Sequence, residues 1–226
     1  MSETETLLDL IQRQLDEFCS TQRDQFQVIS SDLTQIVDES RSLLQGGKRF
    51  RALFTYWAWA GSLPYAATRQ TPEQLAESSD AIVGICSALE MFHAAALVHD
   101  DILDQSDTRR GKPAVHKAFE KLHQEQGWAG SAARFGAGAG IITGDLLLAW
   151  SSELFGHALE HSPSPEIEAA CRDEFAKMRV EVMAGQYLDV LEENAALTRD
   201  PAEAVGRANR VMLYKTAKYS IEAPML

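Results

Sequence analysis

Residues 81–104 read AIVGICSALEMFHAAALVHDDILD, a nearly unbroken helix pattern that ends in three aspartates. Upstream, Thr71-Pro72-Glu73 is a helix-opening signal, with Thr71 as N-cap and Pro72 in the first turn. The expected helix therefore runs from Pro72 to about Asp104, with only Gly84 against it. Ala81–Leu89 and Ala94–Val98 leave little polar face, so it is buried on most sides and needs other helices around it. Working outward, Leu7, Leu8, Ile11, Leu15 and Phe18 recur at helical spacing, as do Ile29, Leu33, Ile36, Val37, Leu43 and Leu44. Further helices are predicted over Phe50–Ala60, Ala118–Gln124, the small-residue segment Phe135–Phe155, the amphipathic Glu166–Glu193, and a segment opened by Pro201 and running to Glu222. Between them lie the loop Ser106–Val115, the turn Gly127–Gly130 and the linker His161–Pro165. No strand pattern, internal repeat or low-complexity tract stands out. The expectation is an all-α bundle of long helices forming one domain over residues 1–226.

The composition narrows the function classes. Of 226 residues, 33 are Asp or Glu and 21 are Lys or Arg, a net charge of −12. That balance argues against nucleic acid and against a surface held by anionic lipid. The N-terminus is acidic where a secretory signal would be basic. The most apolar stretches, around Ala94–Val98 and Ile141–Trp150, are short or interrupted by Asp145, so no transmembrane segment is expected. Cys19, Cys86 and Cys171 are far apart and read as buried thiols in a reducing compartment. A cytoplasmic protein is the expectation.

The chemistry concentrates at the end of the long helix. At 3.6 residues per turn, Asp100, Asp101 and Asp104 fall within an arc of roughly 100°. Three carboxylates on one face of an apolar helix call for a cation. With no Cys beside them, the set suits Mg²⁺, a hard ion that keeps waters and bridges to phosphates. The plainer alternative is a solvated acidic helix end. Thr108-Arg109-Arg110-Gly111-Lys112 follows closely. The two arginines either grip phosphate as planar forks or pair with Asp104 or Asp107. A second basic patch is Gly46-Gly47-Lys48-Arg49-Phe50-Arg51, where two glycines permit close backbone approach to an anion. His93 precedes Asp100 by seven residues, about 10 Å along the same face, as either a site residue or a satisfied core histidine.

Six ordered segments carry a resemblance: GGKRFR (46–51), LEMFHAAALVHDDILD (89–104), SDTRRGKPAVH (106–116), GDLLL (144–148), GQYLD (185–189) and YKTAKYS (214–220). By these the chain resembles the trans-isoprenyl diphosphate synthases, the head-to-tail polyprenyl synthases of the isoprenoid synthase fold. The resemblance implies that Asp100, Asp101 and Asp104 hold Mg²⁺ against the diphosphate of an allylic substrate. It implies that Lys48, Arg51, His93 and Arg110 bind the diphosphate of isopentenyl diphosphate. Arg109, joined by Lys215 and Thr216, would bind the allylic diphosphate, and Gln186 and Asp189 would support the metal–phosphate network. A homodimer is implied as well. Ala52 stands where the family usually has Pro. The family's second aspartate-rich motif, downstream of the Lys-Thr segment, does not occur, so the sequence reads as incomplete at its C-terminal end.

Product length is argued from the wall behind Asp100. Small residues at Ala95 and Ala96 leave depth for a growing chain, with Phe92 as a deeper floor, which favours a C20 product or a nearby length over C15, longer products being open as well. Rival readings are a non-catalytic partner subunit of a synthase and, more remotely, a metal phosphohydrolase of the HD type. The latter would need His116, His123, His157 or His161 gathered at His99-Asp100. Isoprenoid cyclases share the aspartate motif but lack the Lys/Arg/His set for a second diphosphate.

Overall fold

Leu7, Ile11, Leu15 and Cys19 are all buried, and their four-residue rhythm makes one side of the first helix, α1 (Glu3–Ile29), an apolar stripe. The computed structural model describes residues 3–63, 80–162 and 164–226. Within them the fold is all-α apart from one small ribbon. The helix-opening signal at Thr71-Pro72 lies outside the described residues. By its contacts the chain divides into two compact units, Met1–Arg49 with Gln70–Glu160 and Phe50–Arg69 with His161–Leu226.

In the first unit, α1 returns through a one-turn 3-10 helix, where the Ser30 hydroxyl accepts from the Asp32 N–H, into α2 (Thr34–Leu44). The helix α4 (Asp80–Leu103) is the core element, packed by α1, α2 and α6 (Ala132–Leu159). Ile82, Cys86, Leu89, Met91, Phe92, Ala95 and Val98 are buried around its circumference, as its lack of a polar face predicted. Helix α5 (Val115–Glu125) lies on α6. The small residues of α6 let its neighbours come close: a Cβ on Gly136 would stand 2.3 Å from the His116 carbonyl oxygen. Ser151 of α6 donates to the Ala88 carbonyl of α4 at 2.9 Å, which leaves no orphaned hydroxyl between the two apolar helices.

The second unit holds α3 (Phe50–Ser62), α7 (Pro165–Ala195), α8 (Ala204–Val211), a π-helix (Met212–Glu222) and a last turn (Ala223–Met225). Ser164 caps α7 by accepting from the Ile167 N–H, and Pro165 occupies the first turn, where its missing N–H costs nothing. The segment read from the sequence as one helix over 201–222 is three: a 3-10 turn at Pro201–Glu203, α8, and the π-helix. Apolar spacing reports which face is buried. Over so short a run it does not separate i→i+4 from i→i+5 hydrogen bonding. The helix read as Phe135–Phe155 proves longer, Ala132–Leu159. By length and composition alone, α4 and α6 are long enough to cross a membrane, and 72% of the α4 window is buried inside the protein. One charge such as Asp145, and a series of glycines, do not stop a helix whose small residues are packed.

His116, at the start of α5, has a buried Nδ1 with no hydrogen-bond partner among the described residues. Burial, followed by the neighbouring Lys117 charge, pulls its pKa below the ordinary 6.5. The folded state therefore binds fewer protons here than the unfolded state. The stability this residue permits is complete above about pH 6.5 and falls as the pH drops toward the lowered folded-state value. Urea midpoints measured downward from about pH 7.5 should fall more steeply for the native sequence than for His116→Gln. Equal slopes would show that His116 does not titrate on unfolding.

Candidate active site

The last turn of α4 closes with the Asp104 N–H on the Asp100 carbonyl at 2.8 Å, and the Ser106 N–H on the Asp101 carbonyl at 2.8 Å ends the helix. The chain then forms a two-residue ribbon within the expected loop Ser106–Val115. β1 (Thr108–Arg109) pairs antiparallel with β2 (Lys112–Pro113). Its turn residues Arg110 and Gly111 both have positive φ, 53° and 77°, as a type I′ hairpin turn requires. Strands of two residues carry no alternation to read. The ribbon separates the two arginines: Arg109 turns back to α4 and Arg110 to the end of α2.

Asp101 is 2% exposed, and Arg109 Nε donates to both of its carboxylate oxygens at 3.0 and 3.2 Å, with Arg109 Nη2 on Oδ1 as well. The hydrogen bond to Asp101 raises the Arg109 pKa above its usual value, so the guanidinium is a fixed charge. Arg109 Nη2 also lies 3.8 Å from Asp100 Oδ2. Of the three aspartates expected to hold metal together, Asp101 is thus turned inward as the arginine's anchor. Asp100 is half-buried and Asp104 exposed.

Arg110 Nη1 donates to the carbonyls of Leu43, Gln45 and Gly46 at 3.1, 3.2 and 3.4 Å, capping the C-terminal end of α2 where carbonyls lack helix partners. Gly47 is favoured here by its backbone, while the guanidinium beside it could shift. Its φ is +89°, and a Cβ would meet Arg110 Nη2 at 2.8 Å. The neighbouring Arg49 is 7% exposed and donates to the Leu8 and Leu44 carbonyls at 3.1 and 3.0 Å. It ties α1 to the loop that presents the exposed Lys48. A buried Arg inside a run of basic residues has no distinguishing signal in the sequence. His93, with Leu43, Leu44, Glu90, Ala94, Leu97 and Arg110, lines a small cleft.

In the second unit, Lys215 Nζ donates to Asp189 Oδ2 at 2.5 Å, and Lys218 Nζ to both oxygens of Glu181 at 2.8 and 2.9 Å. These pairs join the π-helix to α7. Gly185 sits between them, where a Cβ would stand 2.3 Å from the Lys215 backbone nitrogen. Gln186 Nε2 is buried with no partner among the described residues, and Thr216 is exposed. Arg51, in the first turn of α3, donates from Nη2 to Ser220 Oγ at 2.8 Å.

Among the described residues no three His, Cys, Asp or Glu side chains stand as a metal-holding group. Asp100 and Asp104, one turn apart with Asp101 withdrawn, leave a pair of carboxylates. That set fits Mg²⁺, which takes one or two carboxylates and completes its shell with water and substrate phosphate, better than an ion demanding a full protein cage. Two of the histidines a phosphohydrolase would need are engaged elsewhere. His123 is buried against the Ala129 carbonyl, and His157 lies near Glu153 and Glu160. On the wall behind Asp100, Phe92 and Ala95 are buried in the core of their unit, while Ala96 is only half-buried.

Solved structures share this architecture. A geranylgeranyl pyrophosphate synthase from Corynebacterium glutamicum, complexed with isoprenyl diphosphate and magnesium, is 35% identical with a TM-score of 0.81, and the match covers 97% of this chain and 57% of that one. A farnesyl diphosphate synthase from T. Brucei shares the fold at 21% identity, with a TM-score of 0.70 over 96% of this chain and 59% of that one. The long-helix bundle is that of the isoprenoid synthases. The polyprenyl synthetase family model matches residues 33–226, and the chain belongs to that family. Curated relatives include a geranylfarnesyl diphosphate synthase of Natronomonas pharaonis, 32% identical over 166 residues, covering 71% of this chain and 42% of that protein. A farnesyl diphosphate synthase of Geobacillus stearothermophilus is 26% identical over 226 residues, covering 96% of this chain and 66% of that one. The chain spans about half the length of the curated relatives it matches.

Proposed function

We propose that this chain is a head-to-tail prenyltransferase that condenses isopentenyl diphosphate with an allylic diphosphate, with a C20 product. The observation that carries the reading is the end of α4. There two accessible carboxylates, Asp100 and Asp104, flank an arginine whose charge is held in place by the buried Asp101. Negative charge grows on the leaving diphosphate as the allylic C–O bond ionises. Fixed cations stabilise it more in the transition state than in the ground state. Arg109, already oriented by Asp101, needs no reorganisation to do so. Asp100 and Asp104 are the residues that would hold Mg²⁺, which would supply Lewis-acid stabilisation of the same charge. Lys215 and Thr216 are assigned to the allylic diphosphate as well, with Gln186 and Asp189 supporting them. Lys48, Arg51, His93 and Arg110 are assigned to the diphosphate of isopentenyl diphosphate. The allyl cation must be kept from water, a task for apolar walls such as α4. The isopentenyl double bond attacks it, a proton is lost, and the released diphosphate is the acceptor.

Ala96, small and half-buried one turn before Asp100, is the position that sets chain length in this reading. A cytoplasmic homodimer completes the proposal. The exposed Phe135, Ile141 and Ile142 of α6 offer the apolar surface for a second copy.

The test is incorporation of labelled isopentenyl diphosphate into extractable product, with C5, C10 and C15 allylic primers offered separately. Product that vanishes with EDTA and in Asp100→Ala, with C20 the main length, is the expected result. Substrate binding without product would favour a partner subunit, and metal-dependent phosphate release without condensation would favour a hydrolase.

A further inference from the structure

Arg51 is gripped from two sides by the π-helix of its own unit. Its Cζ lies 4.1 Å from the centroid of the Tyr219 ring, and its Nη2 donates to Ser220 Oγ at 2.8 Å. Tyr219 is 4% exposed, so the ring is a fixed platform. The Arg51 Nε is buried and has no hydrogen-bond partner among the described residues. A guanidinium carries five donors in one plane. Here the ring covers a face and Ser220 takes one donor, which sets the plane of the fork and leaves it short of an acceptor. An arginine settled as a purely structural tie would have its buried donors satisfied, as each bond left unmade in the interior carries a desolvation cost.

We propose that Tyr219 and Ser220 are positioning residues that orient the Arg51 fork toward a diphosphate. The inference rests on the reading of Arg51 as a ligand of isopentenyl diphosphate and deepens it. The long side chain of an arginine loses considerable rotamer freedom when it binds an anion. A ring and a hydroxyl that hold it beforehand remove most of that loss, which is preorganisation of the site before substrate arrives. The π-helix takes part directly, because Tyr219 and Ser220 are consecutive and both must reach one guanidinium. This also gives a role to two residues of the YKTAKYS segment to which the resemblance assigned none.

The experiment is calorimetric titration of the 226-residue chain with isopentenyl diphosphate, without metal. Tyr219→Leu should weaken binding about fivefold to thirtyfold, the span from an exposed to a desolvated cation–π contact. Tyr219→Phe, which keeps the ring, should recover most of that loss. Ser220→Ala should weaken binding about threefold, the loss of one net hydrogen bond. It serves as the second probe should Tyr219→Leu fold poorly. In an Arg51→Ala background, Tyr219→Leu and Ser220→Ala should cost nothing further, because the two residues act through Arg51. Losses that multiply with Arg51→Ala would overturn the proposal and make Tyr219 a packing residue only. Unchanged affinity in both single variants, with native binding intact, would overturn it while leaving the substrate reading standing. A native chain that does not bind isopentenyl diphosphate would remove both together.

Discussion

Arg109→Ala is expected to lower the unfolding free energy by about 3 kcal/mol, against about 1 kcal/mol for Asp101→Asn. The asymmetry follows from exposure. The Asp101 side chain is 3% exposed and the Arg109 side chain 29%. Removing the arginine strands a carboxylate that has no water to turn to, and an uncompensated buried charge is among the costliest single defects. Removing the carboxylate charge leaves a guanidinium that has solvent and Asp100 within reach. Urea unfolding of the two variants side by side decides the point. Equal losses, or a larger loss for Asp101→Asn, would mean that Asp101 is not the arginine's anchor. The outcome bears on function as well as stability. If Arg109 stays charged and oriented only because Asp101 holds it, the three aspartates divide into two that face substrate and one that faces the protein.

Gly185→Ala is expected to destabilise the chain by about 3 kcal/mol, although alanine is the better helix former by up to about 1 kcal/mol. The Cβ would meet the Lys215 nitrogen at 2.3 Å, the Tyr214 carbonyl carbon at 2.6 Å and the Lys215 Cα at 2.8 Å, all backbone atoms. A side chain can swing aside, but helix backbone cannot, so α7 and the π-helix would have to part. The movement would also stretch the Asp189–Lys215 and Glu181–Lys218 pairs that flank the contact. Gly138→Ala in α6 is the control, since its Cβ would meet nothing within 4 Å. It should raise stability by about 0.5–1 kcal/mol through helix propensity alone. Thermal melts in which both variants move in the same direction would remove the close-packing account of Gly185.

The helices were legible because periodicity and burial are two views of one fact. Leu7, Ile11 and Leu15 share a side, and that side is buried. The core position of α4 followed in the same way from its missing polar face. The aspartate cluster and the arginine pair were visible as motifs, since charge crowding after an apolar helix needs a counter-charge wherever the chain goes next. What could not be read was the partition among neighbours. Asp100 and Asp101 are adjacent and identical in the sequence, yet a rotation of about 100° puts one half in solvent and the other under an arginine. Arg109 and Arg110 are also adjacent and alike. A two-residue ribbon sends one to a carboxylate and the other to the carbonyls of α2.

Residue types, their order and their helical spacing by themselves determined the all-α class, the family resemblance and the set of charged groups that chemistry requires. Tertiary structure alone decided which protein partner each of those groups meets. It placed Arg49 in the interior, set Gly185 against the Lys215 backbone, and laid Arg51 on the Tyr219 ring. The physical reason is range. Helix formation and apolar periodicity are local, repeating every few residues, and can be read within a short window. The pairing of a buried charge, the approach of two backbones and the orientation of a guanidinium depend on atoms brought together from distant parts of the chain. Arg51 and Ser220, separated by 169 positions, meet because α3 packs on the π-helix within their unit.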